Sequence, residues 1–215
     1  MSSTSTGHRR PLAIVTCGPA HEPLDSVRRI TNFATGEIGA ILSEALLDAG
    51  WDVICFRGEG ATAPFPERID VRPFSTNASL ADAIRSLDQV PGAIFHAAAL
   101  CDFQVAAIDG ACGQAKISSR SAELLVRLRP ALKLLPFFRE WFPQARIIGW
   151  KYELDGTQTE AVSKAGAQIK DAKTDACVVN GAAYGHGFGL VTESELIDLP
   201  DKTQLAATLV RRFAV

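Results

Sequence analysis

Residues 11–56, "PLAIVTCGPAHEPLDSVRRITNFATGEIGAILSEALLDAGWDVICF", decide the fold. The apolar run at 11–17 stops at Gly18-Pro19 and reads as a buried strand. Across 36–50, Ile38, Ile41, Leu42, Ala45 and Leu46 share one helical face, and Gly50 suits the position just past the helix end. Residues 51–56 form a second strand. A dinucleotide-binding sheet usually carries G-x-G-x-x-G directly after its first strand. Here only Gly18 lies near the turn. Gly36 and Gly39 follow a polar loop holding Glu22, Asp25, Arg28, Arg29 and Asn32.

Two readings of T-G-x-x-G (Thr35 to Gly39) stay open. Glycine lets an anion approach the backbone, where free N–H groups and the helix dipole favour phosphate. Glycine at a helix start also serves close packing on a sheet. In the loop, an Asp25–Arg28 pair is expected to hold the chain in shape under either reading.

Outward from this unit, residues 68–74 alternate like a strand that Pro73 places at an edge or an end. A helix starts near 77, with Asn77 or Ser79 as its cap. Runs at 93–99, 146–150 and 176–180 read as buried strands, 190–199 as a strand near an edge, and 203–213 as a C-terminal helix. The order predicts an α/β fold: a Rossmann-like, doubly wound, mostly parallel sheet. Between 102 and 128 the pattern breaks into a polar stretch containing Lys116. It reads as a flap after the central strand or as an ordinary surface excursion. Phe137, Phe138 and Trp141 are core or interface residues, with core the default.

Formal net charge is −2, which offers no bulk footprint for nucleic acid or anionic membrane, and no apolar run reaches the ~18 residues that cross a bilayer. Residues 1–10 read as a disordered polar tail and 11–215 as a single domain. The five cysteines (Cys17, Cys55, Cys101, Cys112, Cys177) form no C-x-x-C pair, so a reducing, cytoplasmic setting is expected. His8, His21, His96 and His186 show no ligand spacing with them, so no protein-built metal site is expected.

The pattern G-P-x-x-E-P-x-D-x-V-R-x-I-x-N-x-x-x-G-x-x-G at 18–39 resembles the start of the synthetase domain of the phosphopantothenoylcysteine synthetase family. Other segments resemble that family in order: HAAALCDF at 96–103, AKI at 115–117, IGWKYE at 148–153 and KTDACVVN at 173–180. The resemblance implies a ligase that joins 4′-phosphopantothenate to cysteine in coenzyme A biosynthesis. An acyl-nucleotide made from CTP or ATP with Mg²⁺ is the implied intermediate, and a homodimer the implied assembly. It assigns Asn32 to orienting the acid and its acyl-nucleotide, and Lys116 to closing over that intermediate. Gly18, Arg28, Thr35, Gly36 and Gly39 are the implied substrate and phosphate site. Ala98, Asp102, Trp150 and Lys173 are the implied nucleotide site. Many bacterial members carry a flavin-dependent decarboxylase domain as well. A chain of 215 residues has no room for one, so no flavin is expected.

This sequence departs from the family pattern in its nucleotide half. Ala34-Thr35 stands where two serines are favoured, Ser118-Ser119 follows the flap motif where lysine is common, and Ala131-Leu132 replaces Asp-Ile. Two expected lysines fall at Gln168 and Ala172, although Lys164, Lys170 and Lys173 are near. A second function class therefore stands beside the ligase: a divergent paralogue that binds a nucleotide or phosphorylated ligand without ligating. A short-chain-reductase-like enzyme is disfavoured, since neither Tyr152 nor Tyr184 has a lysine four residues on.

Overall fold

In a computed structural model of the chain, the described residues are 10–109, 116–118 and 123–214. The expected polar tail lies outside them except for Arg10, as does Cys112. Strand β1 (Leu12–Cys17) leads through a small hairpin, β2 (His21–Pro23) and β3 (Arg29–Thr31), into helix α1 (Glu37–Asp48). There follow β4 (Asp52–Gly58), β5 (Asp70–Phe74), α2 (Asn77–Arg85) and β6 (Ala93–His96). A second hairpin, β7 (Phe103–Ile108) and β8 (Val126–Pro130), precedes α3 (Leu135–Trp141), β9 (Arg146–Tyr152) and α4 (Gln158–Ala172). The chain closes with β10 (Ala176–Asn180), β11 (Phe188–Val191), β12 (Leu196–Leu199) and α5 (Lys202–Phe213).

The main sheet runs β12-β11-β10-β9-β6-β1-β4-β5, with β11 antiparallel to both its neighbours and the other strands running in one direction. Its parallel part has the Rossmann order, which reverses direction between β1 and β6. Alternation along β1 and β4 divides the core between two faces. Ala13, Val15, Cys17, Val53 and Cys55 pack with Leu42 and Leu46 of α1 and Leu205 and Leu209 of α5. Leu12, Ile14, Ile54 and Phe56 pack with Leu80 and Ile84 of α2 and Phe138 of α3. Helix α4 lays Ala161 and Ala165 on Cys177 and Val179. The sheet is doubly wound, as expected.

Four local readings need correcting. The region at 190–199 is two strands, because Thr192 Oγ1 accepts the Ser194 and Glu195 amides and turns the chain. Helix α2 is capped by Thr76 in a reciprocal box with Ser79, which frees the Asn77 side chain for another task. The polar loop after β1 is not irregular throughout but contains the β2–β3 hairpin. Of the aromatic group, Phe138 is core, while Phe137 stacks on Trp141 at 5.8 Å and is exposed.

Close approach governs the join between β1 and α1. A Cβ on Gly39 would lie 2.4 Å from the Cβ and Sγ of Cys17. Gly36 caps α1 in the left-handed region at φ 81°, a conformation that disfavours side chains. Gly39→Ala is expected to lower unfolding stability by about 1–3 kcal/mol through overpacking, read as an earlier midpoint in urea.

Candidate functional site

The crevice lies at the carboxyl ends of β1 and β6, where the strand order reverses. Beyond β1 the chain continues to pair with the extension of β6: Ala97 N and Ala99 N donate to Thr16 O and Gly18 O, and Ala20 N donates to Ala99 O. Asn32 stands above this join. Its Nδ2 donates to Ala99 O at 3.1 Å and Leu100 O at 3.0 Å. Two carbonyl neighbours set the orientation of the amide, since Oδ1 in that place would face only acceptors. Oδ1 is thereby the acceptor end of the amide, turned away from these carbonyls.

At the start of α1, no side chain caps the helix. Thr35 Oγ1 accepts Glu37 N at 3.3 Å, and Thr35 O accepts Thr62 N and Ala63 N at 3.1 and 3.0 Å. The loop after β4 therefore braces the helix start from outside. Arg57 holds that loop, donating to Ala61 O and Ala63 O and lying 5.2 Å from the Phe65 ring centroid. Arg57 and Asn77 escaped the sequence reading because each looks like an ordinary strand or cap residue. Buried Asn77 donates to Cys101 O and Leu132 O and accepts Cys101 N, tying the root of the β7–β8 hairpin to α2.

The expected Asp25–Arg28 pair is present at 3.5 Å. It does more than shape the loop. Arg28 Nη2 donates to Ile117 O at 2.7 Å, and Asp25 Oδ2 accepts Ile117 N at 3.0 Å. Ile117 is buried while Lys116 beside it is exposed. The Ile117 hydrogen bond, with others from the Val27 and Arg28 amides, holds the Asp25 carboxyl below its ordinary range.

Ala98 and exposed Asp102 follow β6 at the same end of the sheet, and Asp102 O accepts Ala131 N at 2.9 Å. Cys101, beside them, has its thiol pushed up by burial and then by the Glu22 and Asp102 carboxylates. The β6–β9 register sets Phe95 opposite Ile148, so Trp150 stands level with Ala97. Gly18, Asn32, Thr35, Gly36, Gly39, Ala98, Asp102 and Trp150 thus gather at the carboxyl edge, with Arg28 and Lys116 joined through the hairpin.

Lys173 is not among them. It ends α4 in the left-handed region at φ 53° and precedes β10, at the amino edge of the sheet. There its carbonyl accepts Arg139 Nε at 3.0 Å, in a cluster where Arg139 and Arg146 pair with Asp175. Gln168 is turned to the sheet, donating to Trp150 O and Cys177 Sγ, and Ala172 is buried. The cations nearest the carboxyl end of β9 are Lys151 and Lys164, both paired with Glu153, whose carboxyl they hold low. Among the described residues no three His, Cys, Asp or Glu side chains converge as a metal-binding group.

The fold and crevice are those of the α/β proteins built around the switch point of a Rossmann-type sheet. The sequence profile of the DNA/pantothenate metabolism flavoprotein C-terminal domain matches residues 9–212, and the chain belongs to that family. It is 29% identical over 173 residues to the coenzyme A biosynthesis bifunctional protein CoaBC of Thermococcus kodakarensis, covering 78% of this chain and 40% of that protein. It is 28% identical over 212 residues to a cysteine/cysteine sulfinic acid decarboxylase from an unknown prokaryotic organism, covering 93% of this chain and 56% of that protein. The chain thus spans about half the length of the curated relatives it matches. Among solved structures, the DNA/pantothenate metabolism flavoprotein from Streptococcus pneumoniae superposes with a TM-score of 0.83 at 24% identity, covering 96% of this chain and 99% of that one. A Cab2 H337A mutant in complex with phosphopantothenate-cysteine gives 0.75 at 20% identity, covering 95% of this chain and 85% of that one.

Under the crevice floor, His96 is buried and its Nδ1 meets Thr16 Oγ1 at 2.7 Å. Burial pushes its pKa down from 6.5 to about 4. The unfolded chain then binds the extra proton between those values, so stability is complete above the unfolded pKa and declines as pH falls toward the folded one. Urea unfolding at pH 7 and 4.5 should differ by about 2–3 kcal/mol more in the parent protein than in His96→Gln.

Proposed function

We propose that this chain joins 4′-phosphopantothenate to cysteine through an acyl-nucleotide, as the family resemblance implies, and that residues 11–215 form one such ligase domain. The observation that carries the reading is Asn32, pinned by two carbonyls above a helix start whose cap residue, Gly36, has no side chain. The bound phosphopantothenate-cysteine of the Cab2 structure supports the ligand class.

The acid carboxylate attacks the α-phosphate of CTP or ATP, giving acyl-nucleotide and pyrophosphate. The cysteine amine then adds to the acyl carbon and expels the nucleoside monophosphate. Two anions must meet in the first step, so the protein supplies donors and fixed geometry. Asn32 Oδ1 accepts from a hydroxyl or amide of the pantothenate arm, and the amides at Gly36 and the first turn of α1 receive a phosphate. Thr35 and Gly18 line that cradle, and Gly39 sets its depth by letting α1 settle on β1. Arg28 and Lys116 add positive charge from the hairpin side. Ala98, Asp102 and Trp150 border the nucleotide. Lys173, at the far edge, takes no part within one protomer. Mg²⁺ would enter as an ion carried on the triphosphate, where it would neutralise phosphate charge, with Asp102 as the carboxylate beside it.

A second reading rests on Gln168 and Ala172. Both positions are tucked against the sheet, and Lys151 and Lys164 share the single carboxylate of Glu153, which leaves one positive charge between the two. Each missing charge-assisted bond withholds about 1.5–3 kcal/mol from triphosphate binding. On this reading the chain binds the phosphorylated acid or a nucleotide without ligating.

We also propose a homodimer, supported by apolar side chains exposed on the two hairpins, among them Ile30, Phe103 and Leu128. The four described cysteines are free, which suits a cytoplasmic setting, and no described helix is long and apolar enough to cross a membrane.

Pyrophosphate release that requires both phosphopantothenate and cysteine, with CTP or ATP, tests the ligase. Asn32→Ala should cut turnover about 100-fold or more by misplacing the acid, and equal turnover would remove Asn32 from its role. Thermal stabilisation by one ligand, without turnover at high protein concentration, would favour the binding-only reading. Light scattering of the eluting protein should give twice the 23.0 kDa chain mass.

A further inference from the structure

We propose that Asp25 is a positioning residue for the flap: with Arg28 it seats the backbone of Ile117, and so Lys116, on the loop that carries Asn32. The inference rests on the ligase reading for the role of Lys116, but the seat itself does not.

Asp25 divides its two oxygens between two tasks. Oδ1 accepts Val27 N at 2.8 Å and Arg28 N at 2.7 Å, which builds the turn of the β2–β3 hairpin. Oδ2 accepts Ile117 N at 3.0 Å and lies 3.5 Å from Arg28 Nε. Arg28 completes the seat by donating Nη2 to Ile117 O at 2.7 Å. One acid–base pair thus satisfies both backbone groups of one residue about ninety positions away, as a neighbouring strand would. The Asp25 side chain is fully covered, and Ile117 is 6% exposed between exposed Lys116 and Ser118. A surface Asp–Arg pair by itself contributes little. The buried amide and carbonyl of Ile117 would lose much more if left unpaired. The turn is built from the hairpin's own amides, so the direction of the acceptor is set by the hairpin and not by Ile117.

Asp25→Asn separates the two tasks. An asparagine has one oxygen, which the two turn amides retain, so its NH₂ then faces the Ile117 N–H, donor against donor. The hairpin survives while the seat is lost. Trypsin cleavage of the Lys116–Ile117 bond, followed by mass spectrometry of the fragments, reads the seat without any ligand. Cleavage about tenfold faster in Asp25→Asn, with an unchanged melting temperature, is expected, and equal cleavage rates overturn the seat. Arg28→Gln, which removes the bond to Ile117 O, should accelerate cleavage in the same direction and serves if Asp25→Asn folds poorly. In the ligation assay, Asp25→Asn should lower kcat with little change in KM for the nucleotide. The double variant Asp25→Asn/Lys116→Ala should be no slower than Lys116→Ala alone. Additive losses would show that Asp25 acts other than through Lys116 and overturn the positioning role. If the parent protein ligates with neither nucleotide, the ligase reading fails and the trypsin result alone decides the seat.

Discussion

The structure depends on how closely a helix can approach the strand that precedes it. Gly39 rests on Cys17 with no space for even a methyl group, and Gly36 turns the chain into α1 through a left-handed residue. A larger residue at either place would lift the helix start from the sheet. The first turn of α1 would then move away from the switch point, and Thr35 would lose its alignment with the loop held by Arg57. The two readings of T-G-x-x-G are therefore compatible. Gly39 is explained by packing, and that packing places Gly36 where an anion could be met.

Most of the sheet was legible because burial on both faces leaves an unbroken apolar run. β1 is buried along its whole length and β4 along most of it, and the face of α1 is continuous, so these elements are visible without coordinates. The two hairpins were not legible, for the converse reason. β3 is exposed along its length, and β8, with the sequence VRLRP, is exposed at all but its first residue, so neither buries a face that would impose alternation. Their strands follow from bonds made elsewhere: the Asp25 turn for one, and the Asn77 clamp at the root of the other. Asn77 shows the limit well, because the residue type that favours a helix cap is also one that can cross-link two carbonyls.

Site residues divided along similar lines. Those in the long motif at 18–39 fall at one crevice because strand direction and one short hairpin keep them together. Lys173 lies apart because α4 carries it the length of the sheet, to the end where β10 begins. Strand direction alone gives this: a residue just before a strand of a parallel sheet lies at the amino edge, away from the crevice. Gln168 and Ala172, which stand where the family resemblance implies lysines, are turned to the sheet under α4.

The outer strand β5 has a consequence for assembly. Its Pro73 carries no N–H, and Asp70 and Arg72 pair along its exposed side. A second sheet cannot add smoothly to such a border, which is how natural proteins discourage runaway strand pairing. On that side the molecule is closed to growth as a fibre.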